Sequence, residues 1–235
     1  VATNLSINQT VEFDKELSHY INNVLRLPNA TQIFLFNNSG AEYTAVIESA
    51  ARNKVTAIIT AHNVDKYESP LQINLGQVLS KTAKFDLVIQ KATELGVHSI
   101  TPLYSDFSII KPVKDRVEAK NDHWHKVAIA ACCQSWRNQV PNINEPQAIN
   151  TWIENNNDPL KLILTPDPNA KRINAINPAT QISILIGPEG GFSANEISLA
   201  QKNNFIPISL GPRILRTETA GLAVIAILQA TFGDM

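Results

Sequence analysis

The chain has 235 residues, 44% of them apolar and 17% charged, with 20 basic and 21 acidic side chains for a formal charge of −1. So much apolar material supports a sizeable core and excludes a disordered chain, which needs low hydrophobicity and high net charge. Near-neutrality excludes a generally basic nucleic-acid coat but leaves room for a local basic face, and no apolar run reaches the roughly 18 residues of a spanning helix.

Val1-Ala2-Thr3-Asn4 has no charged segment leading into an apolar run, so no export signal is expected. The absence of an initiator Met leads us to expect residues before Val1. Residues 1–70 read as a small β-rich unit. Thr10–Phe13, Gln32–Phe36, Tyr43–Ser49 and Val55–Ala61 are β-branched or aromatic runs separated by turn residues. Asn37-Asn38-Ser39-Gly40 is a hairpin signal. One helix is expected between strands, capped by Asp14, with Leu17, Tyr20, Ile21, Val24 and Leu25 as its apolar stripe.

Glu68-Ser69-Pro70 marks the expected boundary, and residues 71–235 alternate strand with helix. Leu71–Leu75 and Ser99–Tyr104 read as strands around a helix with Val78, Leu79, Phe85, Val88, Ile89, Ala92 and Leu95 on its face and Gly96 beyond its end. Trp124, Val127, Ala128, Ala131 and Ser135 line a second helix, in which Cys132 and Cys133 are expected as buried free thiols of a reducing compartment. Trp124 and Trp136 could stack on bases, but rings at helical spacing on an apolar face are more often core. Leu160–Thr165 and Ile182–Gly187 are continuous apolar runs, as in strands buried on both faces. Thr165 to Pro178 reads as a long loop, either a lid or a plain connection, Ser193-Ala194-Asn195-Glu196 as a capping box, Ile206–Leu210 as a strand and Thr217 as the cap of the last helix. The pattern predicts an α/β domain with a mainly parallel sheet.

Lys81, Lys84, Lys91, Lys111, Lys114, Arg116, Lys120, Lys126 and Arg137 cluster in sequence, either as a solvated helical face or as a phosphate-contacting surface. His62, His98, His123 and His125 show no zinc spacing with the adjacent cysteines, so no metal site is expected.

Two loops carry the functional signal. Ile186-Gly187-Pro188-Glu189-Gly190-Gly191 runs from an apolar strand into a capped helix. It is neither a P-loop nor a dinucleotide fingerprint. Its glycines serve either a tight turn or the close approach of a ligand to backbone at a strand's carboxyl end. Leu210-Gly211-Pro212-Arg213-Ile214-Leu215-Arg216-Thr217-Glu218-Thr219-Ala220 also joins a strand to a helix, and its charges in an apolar turn ask for partners. An Arg216–Glu218 surface pair is the plain alternative.

These two segments resemble the cofactor loops of the SPOUT class of S-adenosylmethionine-dependent RNA methyltransferases. Gln90-Lys91-Ala92-Thr93-Glu94-Leu95-Gly96-Val97 with Pro102, Gln134-Ser135-x-Arg137 with Val140-Pro141, and Asn22-Asn23-Val24-Leu25-Arg26 resemble the branch that methylates N3 of a uridine in 16S rRNA. The likeness departs at Trp136, where the branch has Gly, and at His123, where an Arg commonly precedes the Trp. The resemblance implies a PUA-like β-barrel RNA-binding domain at 1–70 and, at 71–235, a methyltransferase domain with a C-terminal deep trefoil knot. It implies S-adenosylmethionine as cofactor, held by Leu164, Ile186, Gly187, Pro188, Glu189, Gly190, Gly191, Leu210, Gly211, Ile214, Leu215, Thr219 and Ala220. It also implies a homodimer acting on 16S rRNA; the near-neutral charge adds the expectation of the assembled small subunit as substrate, since such a chain would bind free RNA weakly, and the free thiols fit a reducing cytoplasm.

The imide proton of N3 must leave for transfer to occur. Glu94, Glu189 and Glu218 are candidate bases; Arg216 or Arg137 could instead stabilise charge on the flanking carbonyl oxygens. The second account is preferred, with the base unassigned. Arg26, Lys81, Lys84, Lys91, Gln134 and Arg137 are candidates for the RNA path. The competing readings are a non-enzymatic RNA-binding or assembly factor that keeps the fold, and an unrelated α/β enzyme that holds an anion at 187–191.

Overall fold

The computed structural model describes residues 4–51, 54–64, 67–108, 117–167 and 170–235, so Lys111, Lys114 and Arg116 of the basic cluster lie outside the described residues. Two compact units divide the chain: Val1–Glu68 with Trp136–Gln139, and Ser69–Ser135 with Val140–Met235.

In the first unit β1 (Thr10–Glu12), β2 (Gln32–Phe36), β3 (Ala41–Ala51) and β4 (Lys54–Val64) form an antiparallel sheet in the order β1-β4-β3-β2. Ala41, Tyr43, Ala45 and Ile47 are buried at alternate positions of β3, which turns one face of the sheet to the core. The β2–β3 hairpin turns through Asn38 (φ 66°) and Gly40 (φ 81°), at the segment that signalled a hairpin.

Asp14 caps α1 (Lys15–His19) by accepting from the Leu17 amide, but the expected single helix does not continue. Tyr20–Leu25 forms a π-helical turn that ends on Arg26 in the left-handed conformation. Bonds to i+5 re-phase the side chains. Ile21 stays buried while Tyr20, Val24 and Leu25, expected on the apolar stripe, are 47%, 60% and 46% exposed.

The second unit contains β5 (Gln72–Val78), α2 (Thr82–Glu94), β6 (Ser99–Tyr104), α3 (Val117–Ser135), β7 (Asn142–Ile143), β8 (Gln147–Ala148), α4 (Ile149–Glu154), β9 (Leu160–Leu164), β10 (Lys171–Arg172), β11 (Gln181–Ile186), α5 (Ala194–Lys202), β12 (Ile206–Ser209) and α6 (Thr217–Phe232). The sheet runs β10-β12-β9-β11-β5-β6-β7, with β8 also on β6, and every pairing among these strands is parallel. The continuous apolar runs are explained by cover on both faces. Ile73, Leu75, Ile184 and Ile208 pack with residues of α2, α3 and α6, whereas Val78, Ile163 and Leu185 pack with Trp152, Ala200 and Phe205 from the α4–α5 side. None of the described helices is long and apolar enough to cross a membrane.

Several local expectations are corrected. The segment from Thr165 to Pro178 is not a plain loop: β10 pairs with β12 and a 3-10 turn follows at Ile173–Ala175. Trp124 is core, 3% exposed against Phe85, but Trp136 stands 51% exposed. Cys132 is buried and Cys133 is exposed, because adjacent helical positions point about 100° apart.

Candidate active site

Parallel strands present their carboxyl ends along one edge, and the two glycine-bearing loops leave that edge from β11 and β12. Both strands flank β9, so the loop origins lie about two strand spacings, roughly 10 Å, apart. Leu164 ends β9 between them, half-buried. The hydroxyl of the next residue, Thr165, is buried without a hydrogen-bond partner among the described residues.

Residues 187–193 are braced from several sides. Thr217 Oγ1 donates to the Gly187 carbonyl at 2.6 Å and accepts from Gln77 Nε2 at 2.9 Å. Gln77 is 1% exposed at the tip of β5, so a buried amide ties the first loop to the start of α6. Gly221 makes room for it: a Cβ there would meet Gln77 Oε1 at 2.8 Å. Ser193 and Glu196 form the expected capping box. Glu196 also accepts from the Asp106 amide at 2.9 Å, and Ser193 donates to Asp106 at 2.6 Å.

Lys84, on the first turn of α2, joins both loops electrostatically. Its Nζ lies 3.2 Å from Glu189 Oε1 and 3.5 Å from Glu218 Oε1. Burial would raise the pKa of the Glu189 carboxyl, but its own backbone N–H and the ammoniums of Lys84 and Lys81 outweigh that and hold it below the usual carboxylate range. The second oxygen of Glu218 is buried without a hydrogen-bond partner among the described residues. A side-chain exposure of only 10% makes that an expensive acceptor to leave empty.

The second loop is open. Gly211 (φ 116°), Pro212 and Arg213 are exposed, and Ile214 is 90% exposed. Arg216 is exposed and begins α6 through its backbone, with no side-chain cap, and Thr217, expected as that cap, turns its hydroxyl to Gly187 instead. A Cβ built on Gly191 (φ 73°) or Gly211 would meet nothing within 4 Å, so both loops present bare backbone beside open space. Bare backbone, an unpartnered buried carboxylate oxygen and an apolar strand tip fit a ligand that combines a planar base, a ribose and a cationic amino-acid tail.

Other predicted residues lie elsewhere in their own units. Glu94 lies ten residues from Lys84, about 15 Å along α2, and is paired with Lys91 at 2.8 Å; that end of the helix faces away from the strand tips. Arg137 belongs to the first unit, 5% exposed, with its guanidinium 2.7 Å from Glu68. Arg26 is exposed on the first unit, Gln134 is exposed near the end of α3, and Lys81 is exposed at the start of α2. Lys84, expected on an RNA path, bridges the two loops. Pro188 and Ala220 are buried, Leu210 and Leu215 half-buried, and Thr219 exposed. Sequence reasoning missed Gln77, Gly221 and the bridging role of Lys84. A polar Gln inside the apolar run Ile73–Val78 was the one available signal.

Comparison with known proteins defines the class first. The RNA methyltransferase domain family matches residues 67–229, and the RNA methyltransferase PUA domain family matches 13–60. Among curated relatives, the ribosomal RNA small subunit methyltransferase E of Buchnera aphidicola from Schizaphis graminum is 38% identical, with 98% of this chain and 94% of the relative covered. The protein of the same name from Buchnera aphidicola of Acyrthosiphon pisum is 39% identical, covering 100% and 93%. The chain belongs to the ribosomal RNA small subunit methyltransferase E family. Its fold superposes on the Neisseria gonorrhoeae family member bound to S-adenosyl methionine with a TM-score of 0.94, at 34% identity and with 100% and 97% of the two chains covered. A Legionella pneumophila chain solved with the bound cofactor SAM gives 0.95, at 37% identity over 99% and 96%.

Proposed function

We propose that this enzyme transfers a methyl group from S-adenosylmethionine to N3 of an unpaired uridine in 16S rRNA, with residues 71–235 as the catalytic domain and residues 1–70 as the RNA-binding domain. The observation that carries the reading is the pair of tied loops: open glycine backbone at Gly191 and Gly211, and a buried Glu218 oxygen without a hydrogen-bond partner among the described residues. A factor that only bound RNA elsewhere would gain nothing from burying that oxygen, since an unpaired buried acceptor costs about 1–3 kcal/mol.

When bound, the cofactor supplies a methyl group made electrophilic by its sulfonium. Backbone groups of Ile186, Gly187, Leu210 and Leu215 read its base and ribose, with Leu164, Pro188, Ile214, Thr219 and Ala220 around them. Gly190 and Gly191 let its amino-acid part pass close to the chain. Glu189 is held by Lys84 and stays charged, which suits it to orient a cationic group rather than to take a proton. Glu218 Oε2 can accept the N3 proton, and Arg216 can stabilise charge on the flanking carbonyl oxygens. Glu94, at the end of α2 far from the two loops, and Arg137, held by Glu68 in the first unit, are given no part in this assignment. Because N3 is a pairing atom, the target must be unpaired or flipped out.

The homodimer, the knot, the assembled small subunit as substrate and the cytoplasm where ribosomes work are parts of the same proposal. The test supplies labelled S-adenosylmethionine and small subunits from a strain without the modification. Label should enter 16S rRNA, and reverse transcription should stop at one uridine. Failure to label any ribosomal particle or RNA would overturn the reading.

A further inference from the structure

Three large rings of the first unit stand out of its surface together. Phe34 on β2 is 45% exposed, Tyr67 49% and Trp136 51%. The Phe34 and Trp136 rings are 5.4 Å apart and tilted by 56°, and Tyr67 lies 6.4 Å from Trp136 at 49°. The contacts are tilted rather than parallel-stacked, and each ring keeps about half of its surface exposed.

The backbone beside them is pinned. Glu68 accepts from the Arg137 guanidinium at 2.7 Å and from the amides of Asn138 and Gln139 at 3.2 and 3.1 Å. Trp136 itself takes φ 64°, in the left-handed region that a bulky side chain occupies at a cost. A fold that needed only a chain reversal after α3 would place glycine there without strain. A partly buried ion pair and a strained backbone therefore hold a tryptophan out in water.

We propose that Phe34, Tyr67 and Trp136 form a stacking platform for one or two unpaired bases of the RNA that this enzyme modifies. The proposal rests on the reading of the chain as acting on RNA. Size argues for bases over a protein partner. Three half-exposed rings offer roughly 300 Å², well short of the about 800 Å² that each side of a stable protein interface buries. Charge argues the same way, since Glu68 and Arg137 neutralise each other and leave no bare carboxylate between them to repel a phosphate. Stacking accepts any base, so the platform adds affinity for unpaired RNA rather than sequence specificity.

The test uses the full-length protein and a fluorescein-labelled single-stranded RNA, with the same RNA in a duplex as control. Wild type should prefer the single strand, and its tryptophan fluorescence should be quenched on binding. Trp136→Gly should weaken single-strand binding by about five- to 150-fold, the range of losing one stacked base, while thermal stability holds or rises because glycine relieves the left-handed strain. Phe34→Ala should weaken binding in the same direction, and Trp136→Phe should keep much of the affinity but lose the quenching. Unchanged affinity in both Trp136→Gly and Phe34→Ala would overturn the platform, as would a change of oligomeric state in place of RNA affinity. If wild type itself binds neither single-stranded RNA nor small subunits, the RNA reading falls and the platform falls with it; if wild type binds and the variants match it, the platform alone falls.

Discussion

The two loops at the carboxyl edge of the parallel sheet are built on opposite plans. Residues 187–193 are held by a buried amide, a threonine hydroxyl, a capping box and an aspartate. Residues 210–216 carry one exposed glycine at φ 116° and a 90% exposed isoleucine; Gly211 bonds only locally to Ser209, and the Arg216 carbonyl accepts from the Ala220 amide of the helix that follows. A braced loop and an open one therefore leave the same edge of the sheet. The difference predicts that changes at the first loop cost stability and binding together, and that side-chain changes at the second cost little of either.

The largest break should come from Thr217→Val. It keeps the shape but removes the hydroxyl that serves both Gln77 and Gly187. A buried amide and a half-buried carbonyl lose a partner, so unfolding free energy should fall by about 2 kcal/mol, and S-adenosylmethionine affinity should fall with it. Denaturant unfolding and calorimetry check the pair; an unchanged midpoint would show that the brace bears no load. Glu196→Ala should follow. It removes the capping carboxylate and the acceptor for the Asp106 amide, worth about 1 kcal/mol or somewhat more.

Lys84→Met should have a smaller, pH-dependent effect. Glu189 is held below the usual carboxylate range in the folded chain, so its stabilising contribution is complete above the unfolded-state pKa. It is lost as pH falls through the lower folded value. Without Lys84 the Glu189 carboxyl should titrate at higher pH, and the drop in stability on acidification should begin from a lower plateau. Carboxyl NMR titration reads the first and thermal unfolding across pH the second. Both Lys84 and Glu189 are about one-third exposed, which keeps the effect modest.

Much of this contrast was legible in the residues. Gly187, Gly190 and Gly191 before Ser193-x-x-Glu196 mark a strand–turn–helix unit on local chemistry alone, and Leu160–Thr165 and Ile182–Gly187 read as doubly covered strands because their apolar runs are continuous. The π-helical turn at Tyr20–Leu25 was hidden, since a 3.6-residue period fits the same letters. The Gln77–Thr217–Gly187 link joins residues 140 and 30 apart in sequence, and no local pattern encodes such pairings. Arg137 and Glu94 show the converse. They sit in motifs that suggest chemistry, and the fold gives each an ion-pair partner, Glu68 for Arg137 and Lys91 for Glu94, that no local pattern announces for Arg137.

Ile214→Ser should produce the smallest effect on stability and the sharpest statement about the open loop. A side chain 90% exposed loses almost no buried area on truncation, so unfolding free energy should stay within about 0.5 kcal/mol. If the loop reads its ligand through backbone groups, S-adenosylmethionine affinity should also change little, in contrast to Thr217→Val. A loss of 1 kcal/mol or more would mean that Ile214 is covered in solution. Dilution would then separate two covers: a stability loss that grows as protein concentration falls points to a second copy of the chain over the loop, and one independent of concentration points to the loop folding onto its own unit.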